Sequence, residues 1–275
     1  VRFRSTYDGS TFDMTPESSV AVQEQLGVDI AMALDVLVGL PAPRHVVEEV
    51  SEQTLRWAER SARARARADQ GLFGIVQGGT ELDLRARSAA RTAAIGFDGY
   101  AIGGLAVGEG PEERNAAVEA VIGELPDDAT RYVMGLGDTE GLLDAVARGA
   151  DLFDCVVPTR LARHGKVLHP DGDFSVKLAR WARSTEPLDP ACACSTCRRY
   201  PRGYLRHLFA VGEATGPRLV TVHNLHYTLQ LMRSMRAAIG AGTFSELHTG
   251  LVGRRLNSAP SEGPPEQIAN ERSLT

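Results

Sequence analysis

Short apolar runs alternate with stretches of helical length through the first 158 residues, and this alternation limits the possible folds more than any other feature. The runs cover residues 28–35, 72–77, 100–105, 131–136 and 152–157, and they carry Asp35, Gln77, Gly104, Met134 and Asp154 at or near their ends. Strand, helix, strand is the repeating unit of a parallel sheet, whose strand ends meet at one rim. The pattern predicts an α/β fold with its active site at those strand ends.

Composition limits the class of protein. The chain has 275 residues, of which 43% are hydrophobic, so a disordered or fibrous protein is excluded. No apolar stretch approaches the roughly 20 residues that a membrane helix requires, and no secretory signal pattern is present. We therefore expect a cytoplasmic enzyme without a membrane partner.

Positive charge is concentrated in one segment of an acidic chain. The net charge is −5, yet residues 157–207 contain ten Lys and Arg against four Asp and Glu. A basic segment on an acidic body is typical of a groove that binds nucleic acid. Chance clustering on a solvated surface is the alternative.

Three of the four cysteines fall within six positions and predict a metal site. Cys192, Cys194 and Cys197, with His223 further on, offer three thiolates and one imidazole. Zinc takes four such ligands tetrahedrally, so we expect one structural Zn²⁺ per chain with no position left for water. Three free cysteines near a turn are the alternative, and His226 can replace His223. His223 is preferred because it follows a strand-like segment at 219–222.

Several longer segments carry a resemblance to a known family. They are the stretches 29–35, 73–79, 96–109 and 153–160 together with the zinc array. Over nearly its full length the chain resembles bacterial tRNA-guanine transglycosylase. The resemblance implies a (β/α)8 TIM-type barrel with a zinc-binding insertion. It also implies a cytoplasmic, homodimeric glycosyltransferase of queuosine biosynthesis that exchanges guanine at the tRNA wobble position for the 7-deazaguanine base preQ1.

Asp154 is the candidate nucleophile. Base exchange breaks a bond at the anomeric carbon of ribose, where an oxocarbenium-like transition state requires a nearby carboxylate. Attack by that carboxylate gives a covalent ribosyl-enzyme and ping-pong kinetics. The resemblance assigns Asp154 the same role, whereas the alternative is a strand-end cap or an ion pair with Arg160.

The remaining strand ends have the hydrogen-bonding capacities that guanine needs. The resemblance implies that Asp35 binds N1–H and the exocyclic amino group, while Gln77 and the Gly104 N–H bind O6. It implies further base contacts at three positions: Gly103, Leu105 through its carbonyl, and Met134 on the ring face. Val107 matches the bacterial pattern, but Val36 and Leu37 depart from the family's Glu-Cys, so queuine remains an alternative incoming base.

The basic segment predicts contacts to tRNA phosphates. Arg160, Arg163 and Lys166 follow the nucleophile directly and are expected to contact the anticodon loop. Three arginines near the cysteines are further candidates for the anticodon stem: Arg198, Arg199 and Arg202.

The predicted domains are a barrel portion at 1–158, a basic zinc-binding insertion at 159–223, a closing helical part at 224–254 and a disordered tail at 255–275. The family's general acid/base aspartate and its Ser-Gly-Gly-Phe-Gln-type loop do not occur in the sequence, which begins with Val1. We therefore expect an N-terminally truncated barrel with uncovered apolar faces, poor stability and little activity when expressed alone.

Three other functions fit part of the pattern. A non-catalytic relative would lack the nucleophile, and Asp154 argues against it. An archaeosine-type transglycosylase would carry additional C-terminal RNA-binding domains, which the short Ser- and Pro-rich tail does not supply. A zinc-stabilised RNA-binding module would leave the strand-end residues unexplained.

Overall fold

The computed structural model describes residues 1–258 of the chain. These residues form two compact units that divide between Val157 and Pro158. The predicted tail at 255–275 lies outside the described residues from position 259 onward.

The first unit begins with a hairpin and a capped helix. Strands β1 (Arg2–Arg4) and β2 (Thr11–Asp13) pair antiparallel. Helix α1 (Pro16–Leu26) follows, and the Thr15 hydroxyl accepts a hydrogen bond from the Ser18 N–H at its N-terminus. Gly27 ends the helix with a φ of 69°, a left-handed conformation that favours glycine.

Five parallel strands form the sheet that positions the candidate site. They are β3 (Ile30–Met32), β4 (Gly71–Val76), β5 (Gly99–Ile102), β6 (Thr130–Val133) and β7 (Leu152–Phe153), hydrogen-bonded in that order. The connecting helices are α2 (Arg44–Ala64), α3 (Leu82–Ile95), α4 (Pro111–Ile122) and α5 (Thr139–Ala147). Parallel strands in sequential order, each followed by a helix, are the repeating unit of a (β/α)8 barrel. The predicted fold class is confirmed.

The core of this unit lies between the sheet and its helices. Strands β4 and β5 are buried along almost their whole length, which explains why both appear in the sequence as unbroken apolar runs. Val76 and Ile102 from the strands pack with Val118 and Val121 from α4, and all four are almost fully buried. This packing holds the carboxyl ends of the strands in register.

Four of the five strands are shorter than the runs predicted for them, and β4 has the same length as its run but begins and ends one residue earlier. The ladders end at Met32, Val76, Ile102, Val133 and Phe153, so the predicted site residues lie in the loops just beyond them. The apolar residues just beyond three of the strands, Ala33, Leu105 and Leu136, are buried, whereas Val156 beyond β7 is exposed. The residues with chemical capacity therefore belong to loops. The N–H groups of Gly103 and Met134 still donate to carbonyls of the neighbouring strands, whereas the N–H group of Gly135 donates to Asp154.

The second unit contains several short elements and two longer helices. They are α6 (Val157–Arg163), which starts at the boundary, the antiparallel pair β8 (Lys166–Val167) and β9 (Phe174–Ser175), a 3₁₀ turn at Ala179–Trp181, α7 (Arg202–Ala210), α8 (Thr215–Ala241) and α9 (Phe244–Ser258). A small core joins them through Val167, Leu188, Leu205 and Val220. None of the helices within residues 1–258 has the length and apolar character needed to cross a membrane.

Two sequence predictions for this unit are corrected. The segment 219–222, expected to be strand-like, belongs to α8, whose buried residues Val220, His223, Tyr227 and Leu231 follow helical spacing. Helix α9 continues to Ser258, into the segment predicted as a disordered tail. It is held there because the Arg255 guanidinium donates to the Asp173 carboxylate at 3.1 Å and to the His169 carbonyl at 2.5 Å.

Candidate functional site

The loops that follow β3, β5, β6 and β7 meet around one open cavity of about 300 Å³. Six predicted site residues line it: Asp35, Gly103, Gly104, Leu105, Met134 and Asp154. Leu37, Val107 and Gly135 complete the wall. The volume lies at the lower end of the range for small-molecule pockets. Two carboxylates that are distant in sequence therefore share one cavity.

Asp35 is held by the neighbouring strand end. The Gln77 Nε2 donates to Asp35 Oδ2 at 2.6 Å, and the Gln77 side chain is almost completely buried. Burial raises the pKa of Asp35 above its ordinary value, although the hydrogen bond from Gln77 opposes this effect. Gln77 itself does not line the cavity but lies behind Asp35, and its buried Oε1 accepts no hydrogen bond from residues 1–258.

A double glycine makes the close approach at the next strand end possible. A Cβ on Gly103 would lie 2.8 Å from the Ile75 side chain, and a Cβ on Gly104 would lie 2.2 Å from Gln77 Oε1. Gly104 also has a φ of 66°, which disfavours other residues. Both positions require glycine because the backbone packs directly against the Gln77 amide.

Asp154 is oriented by two donors on one of its oxygens. Tyr132 Oη donates to Asp154 Oδ1 at 2.6 Å, and the Gly135 N–H donates to the same atom at 2.9 Å. Burial and the contact with Asp154 raise the pKa of Tyr132, which therefore stays a donor at neutral pH. Sequence reasoning missed Tyr132. Its position two residues before Met134, on the same side of β6, was the available signal.

The loop after β5 is stabilised by one carboxylate. The N–H groups of Ala106 and Val107 both donate to the Glu109 carboxylate, the second at 3.0 Å. Ala106 has a φ of 60°, an uncommon conformation for a residue with a Cβ, and this clamp maintains it. The loop places Val107 on the cavity wall, and Leu37, one of the two departures from the family pattern, lies on that wall as well.

In the second unit, four side chains converge as the cysteine spacing predicted. The ligand atoms of Cys192, Cys194, Cys197 and His223 all lie within 4.8 Å of one another. His223 Nδ1 is 3.3 Å from Cys197 Sγ, while its Nε2 contacts the Leu168 carbonyl at 3.0 Å. This second contact fixes the imidazole as metal-binding histidines commonly require. His226, the alternative ligand, is not part of the cluster. The four residues can bind a metal ion.

The predicted tRNA contacts are exposed basic side chains with one exception. Arg160, Arg163 and Lys166 are exposed, and none forms an ion pair within residues 1–258. Arg198 and Arg199 are exposed as well. Arg202 differs, because its Nη2 donates to the Leu188 carbonyl at 2.9 Å and its guanidinium lies 4.7 Å from the Trp181 ring centroid. Arg202 is therefore engaged within its own unit.

Comparison with known proteins finds similarity to one family along almost the whole chain. The family model for queuine tRNA-ribosyltransferase (TGT) matches residues 1–256. The chain belongs to this family. A queuine tRNA-ribosyltransferase of Moorella thermoacetica is 49% identical over 247 residues, which are 90% of this chain and 66% of that protein.

Two further family members show a similar relationship. The queuine tRNA-ribosyltransferase of Thioalkalivibrio sulfidiphilus is 46% identical over 95% of this chain and 70% of its own length. That of Thermus thermophilus is 45% identical over 96% of this chain and 68% of its own length. The chain thus spans about two thirds of the length of the TGT relatives that it matches.

Proposed function

We propose that the chain is the nucleophile-bearing part of a tRNA-guanine transglycosylase, a pentosyltransferase that exchanges guanine at position 34 of GUN-anticodon tRNAs for preQ1 in queuosine biosynthesis. The observation that carries this proposal is the presence of Asp35 and Asp154 on the wall of one cavity. One carboxylate is then available to bind a base and the other to react with the ribose to which that base is attached.

Base recognition follows from the groups around Asp35. Guanine presents N1–H and amino donors beside the O6 acceptor. The Asp35 carboxylate accepts the two donors and the Gly104 N–H serves O6, while Gln77, behind the cavity wall, donates to Asp35 and holds that carboxylate in place. Met134 packs on the ring face, and Leu105 offers its carbonyl to the aminomethyl group of preQ1. The match between each group of the base and the residues around the cavity supports guanine over an unspecific purine.

Covalent chemistry follows from the orientation of Asp154. Its Oδ1 is occupied by Tyr132 and Gly135, which leaves Oδ2 as the oxygen for attack on the anomeric carbon of ribose. The new bond joins Oδ2 to C1′, and the bond from C1′ to the guanine nitrogen breaks with its electron pair going to the base. The incoming base then displaces the aspartate and restores the nucleoside linkage.

The target base has to leave its stack in the anticodon loop before it can enter the cavity, at a cost of a few kcal/mol. Exposed Arg160, Arg163 and Lys166 are suited to bind the phosphates around the extruded nucleotide. A tRNA substrate also implies a cytoplasmic location. The homodimer expected for the family is proposed in the same way.

The second unit is proposed to bind Zn²⁺. Three thiolates and one imidazole are the donor set that zinc prefers, and four protein ligands close the coordination sphere. A closed site has no role in the reaction. Its contribution is to hold a segment with a small core of its own.

The decisive experiment is to trap the covalent intermediate. The protein is incubated with an anticodon stem-loop that contains guanine 34, and adducts are detected after denaturation. An adduct that is lost in Asp154→Asn supports the proposed enzyme. If tRNA binds tightly and no adduct forms under any condition of base supply, the chain is an RNA-binding relative without catalysis.

A further inference from the structure

An arginine is fully buried behind the double glycine of the base cavity. Arg85 lies in the first turns of α3, and its side chain has no exposed surface. Burial lowers the pKa of its guanidinium to about 10, although the charge of Glu109 opposes this effect. Burying a charge costs free energy unless neighbouring groups form hydrogen bonds or ion pairs with it. The contacts of the Arg85 guanidinium therefore indicate its role.

All four hydrogen bonds of this guanidinium go to backbone carbonyls. Nε donates to Gly79 at 2.7 Å, and Nη1 donates to Val76 at 3.2 Å. Nη1 also donates to the Gly103 carbonyl at 2.7 Å, and Nη2 donates to the Gly104 carbonyl at 3.1 Å. One side chain therefore joins the loop after β4 to the loop after β5.

Because each peptide group is planar, a contact that holds a carbonyl also fixes the direction of the N–H group that follows it. In a trans peptide the carbonyl and the N–H of the next residue point in opposite directions. The Gly103 and Gly104 carbonyls point to Arg85, which does not line the cavity. The Gly104 and Leu105 N–H groups therefore point away from Arg85, and neither donates to another group within residues 1–258.

We propose that Arg85 is a positioning residue for base recognition. By holding the Gly103 and Gly104 carbonyls it directs the N–H of Gly104 into the cavity, where this donor meets the O6 acceptor of guanine. The inference rests on the proposed function, because it concerns how the same cavity binds the base. Arg85 does not touch the base and acts through the backbone.

A purely structural role makes a different prediction. If Arg85 only holds α3 against the sheet, its replacement lowers stability and weakens every ligand of the cavity alike. If it positions the Gly104 donor, its replacement weakens ligands with a strong acceptor at position 6 more than others. Guanine and 6-thioguanine distinguish the two cases, since both keep the N1–H and amino donors but sulfur is the weaker acceptor.

The test is calorimetric binding of guanine and 6-thioguanine to the protein and to Arg85→Lys, which keeps the charge but cannot reach four carbonyls. We expect the Kd for guanine to rise about tenfold, the equivalent of one hydrogen bond, and the Kd for 6-thioguanine to change less than about threefold. Arg87→Lys is the matched control, because Arg87 lies on the same helix but is exposed and pairs with Glu48. This control should change neither value.

A second measurement needs no ligand. Hydrogen exchange of the Gly103 amide, which donates to the Val76 carbonyl at 3.1 Å, should be at least about tenfold faster in Arg85→Lys than in Arg87→Lys, because the contacts of Arg85 with the Val76 and Gly103 carbonyls are lost. If Arg85→Lys does not fold, Arg85→Gln is measured in the same way. An equal loss of affinity for both bases, or unchanged exchange at Gly103, would overturn the positioning role. Failure of the wild type to bind guanine would refute the proposed function instead, and the exchange experiment would still decide the role of Arg85.

Discussion

The two candidate sites of this chain are built in opposite ways. The metal cluster takes three ligands from six consecutive positions and the fourth from α8, and all of its ligand atoms come from side chains. The base cavity takes its wall from four loops spread between Asp35 and Asp154, and backbone groups at Gly104 and Gly135 contribute as much as side chains do. The first site is defined by local spacing, and the second by the register of a sheet.

Because the two sites are built differently, the metal cluster and the cavity are stabilised by different interactions. A structural metal site of three thiolates and an imidazole is held together by its bound ion, and the free energy of metal binding is then part of the free energy of folding. The cavity needs no ligand to form, because the strands are held by the buried core around Val76 and Ile102. The metal cluster should therefore be sensitive to chelation, and the cavity to single substitutions in its loops.

Loss of the metal is expected to have the largest effect. His223→Ala, or prolonged chelation, should abolish metal binding and unfold the segment 158–258, since structural zinc contributes roughly 10 kcal/mol or more in small domains. Metal content by mass spectrometry and hydrogen exchange along α8 measure both outcomes. Guanine affinity should be unchanged, because no residue of that segment lines the cavity.

His226→Ala is the control for this variant, because His226 lies on the same helix but outside the cluster. It should keep a full complement of metal. If His226→Ala lost the metal and His223→Ala retained it, the assignment of the fourth ligand would be wrong.

Removal of the nucleophile is expected to have the next largest effect. Asp154→Asn should reduce kcat for base exchange by at least about 10³-fold, because an amide oxygen cannot form the covalent intermediate. Asp128→Asn, a change at an exposed aspartate of the same unit, should keep wild-type activity. Radiolabelled guanine exchange into tRNA measures both, and residual activity above a tenth of wild type would contradict the role of Asp154.

The buried carboxylate of the cavity should make base binding depend on pH. Burial raises the pKa of Asp35 above 3.8, so the carboxylate becomes protonated at a higher pH than an exposed one and then no longer accepts from guanine. Guanine affinity should therefore fall as the pH decreases through the pKa of Asp35. Asp35→Asn should weaken binding about 10- to 100-fold at neutral pH and remove this dependence.

The same pKa shift has the opposite sign for stability. A carboxyl group whose pKa is higher in the folded state favours folding when protonated, and this contribution is lost as the pH rises through that pKa. Asp35→Asn should therefore be more stable than the wild type at neutral pH, and the difference should vanish below pH 3.8. Asp29→Asn, at an exposed neighbour, should show neither effect, and a pH-independent difference for Asp35→Asn would contradict the burial argument.

The smallest effect is expected for the tyrosine that supports the nucleophile. Tyr132→Phe removes one of two hydrogen bonds to Asp154 Oδ1 and should lower kcat about five- to tenfold while leaving the Kd for guanine unchanged. Tyr100→Phe, in the neighbouring strand, removes a hydroxyl bonded to the Ala93 carbonyl and should leave kcat unaffected. Steady-state kinetics and calorimetry separate the two parameters, and a shift confined to Kd would argue that Tyr132 contacts the base instead.

Much of the fold was predictable because its signals are local. Apolar runs separated by helical stretches predicted the five parallel strands. The metal cluster was predictable because three of its ligands are close in sequence. His223 was chosen for the wrong local reason, since it lies in a helix, but helical spacing also places it on the buried face.

Contacts between distant segments were not predictable. Nothing in the sequence indicated that the Gln77 amide would bond to Asp35 behind the cavity wall, or that Tyr132 would support Asp154. Nothing in the sequence distinguished Arg85 from other basic residues, whereas the structure buries it against four carbonyls. Periodicity reports which face of an element is buried, and it does not report the partner on the other side.

The sequence by itself determined the order of strands and helices, the thiol and imidazole donors of the metal cluster and the presence of reactive groups at strand ends, because hydrophobic periodicity and ligand spacing act over a few residues. Only the tertiary structure decided which of those groups share a cavity, which carbonyls a buried guanidinium holds and which way the glycine N–H groups point. Those outcomes depend on strand register and on planar peptides fixed by long-range hydrogen bonds, and no local pattern encodes them.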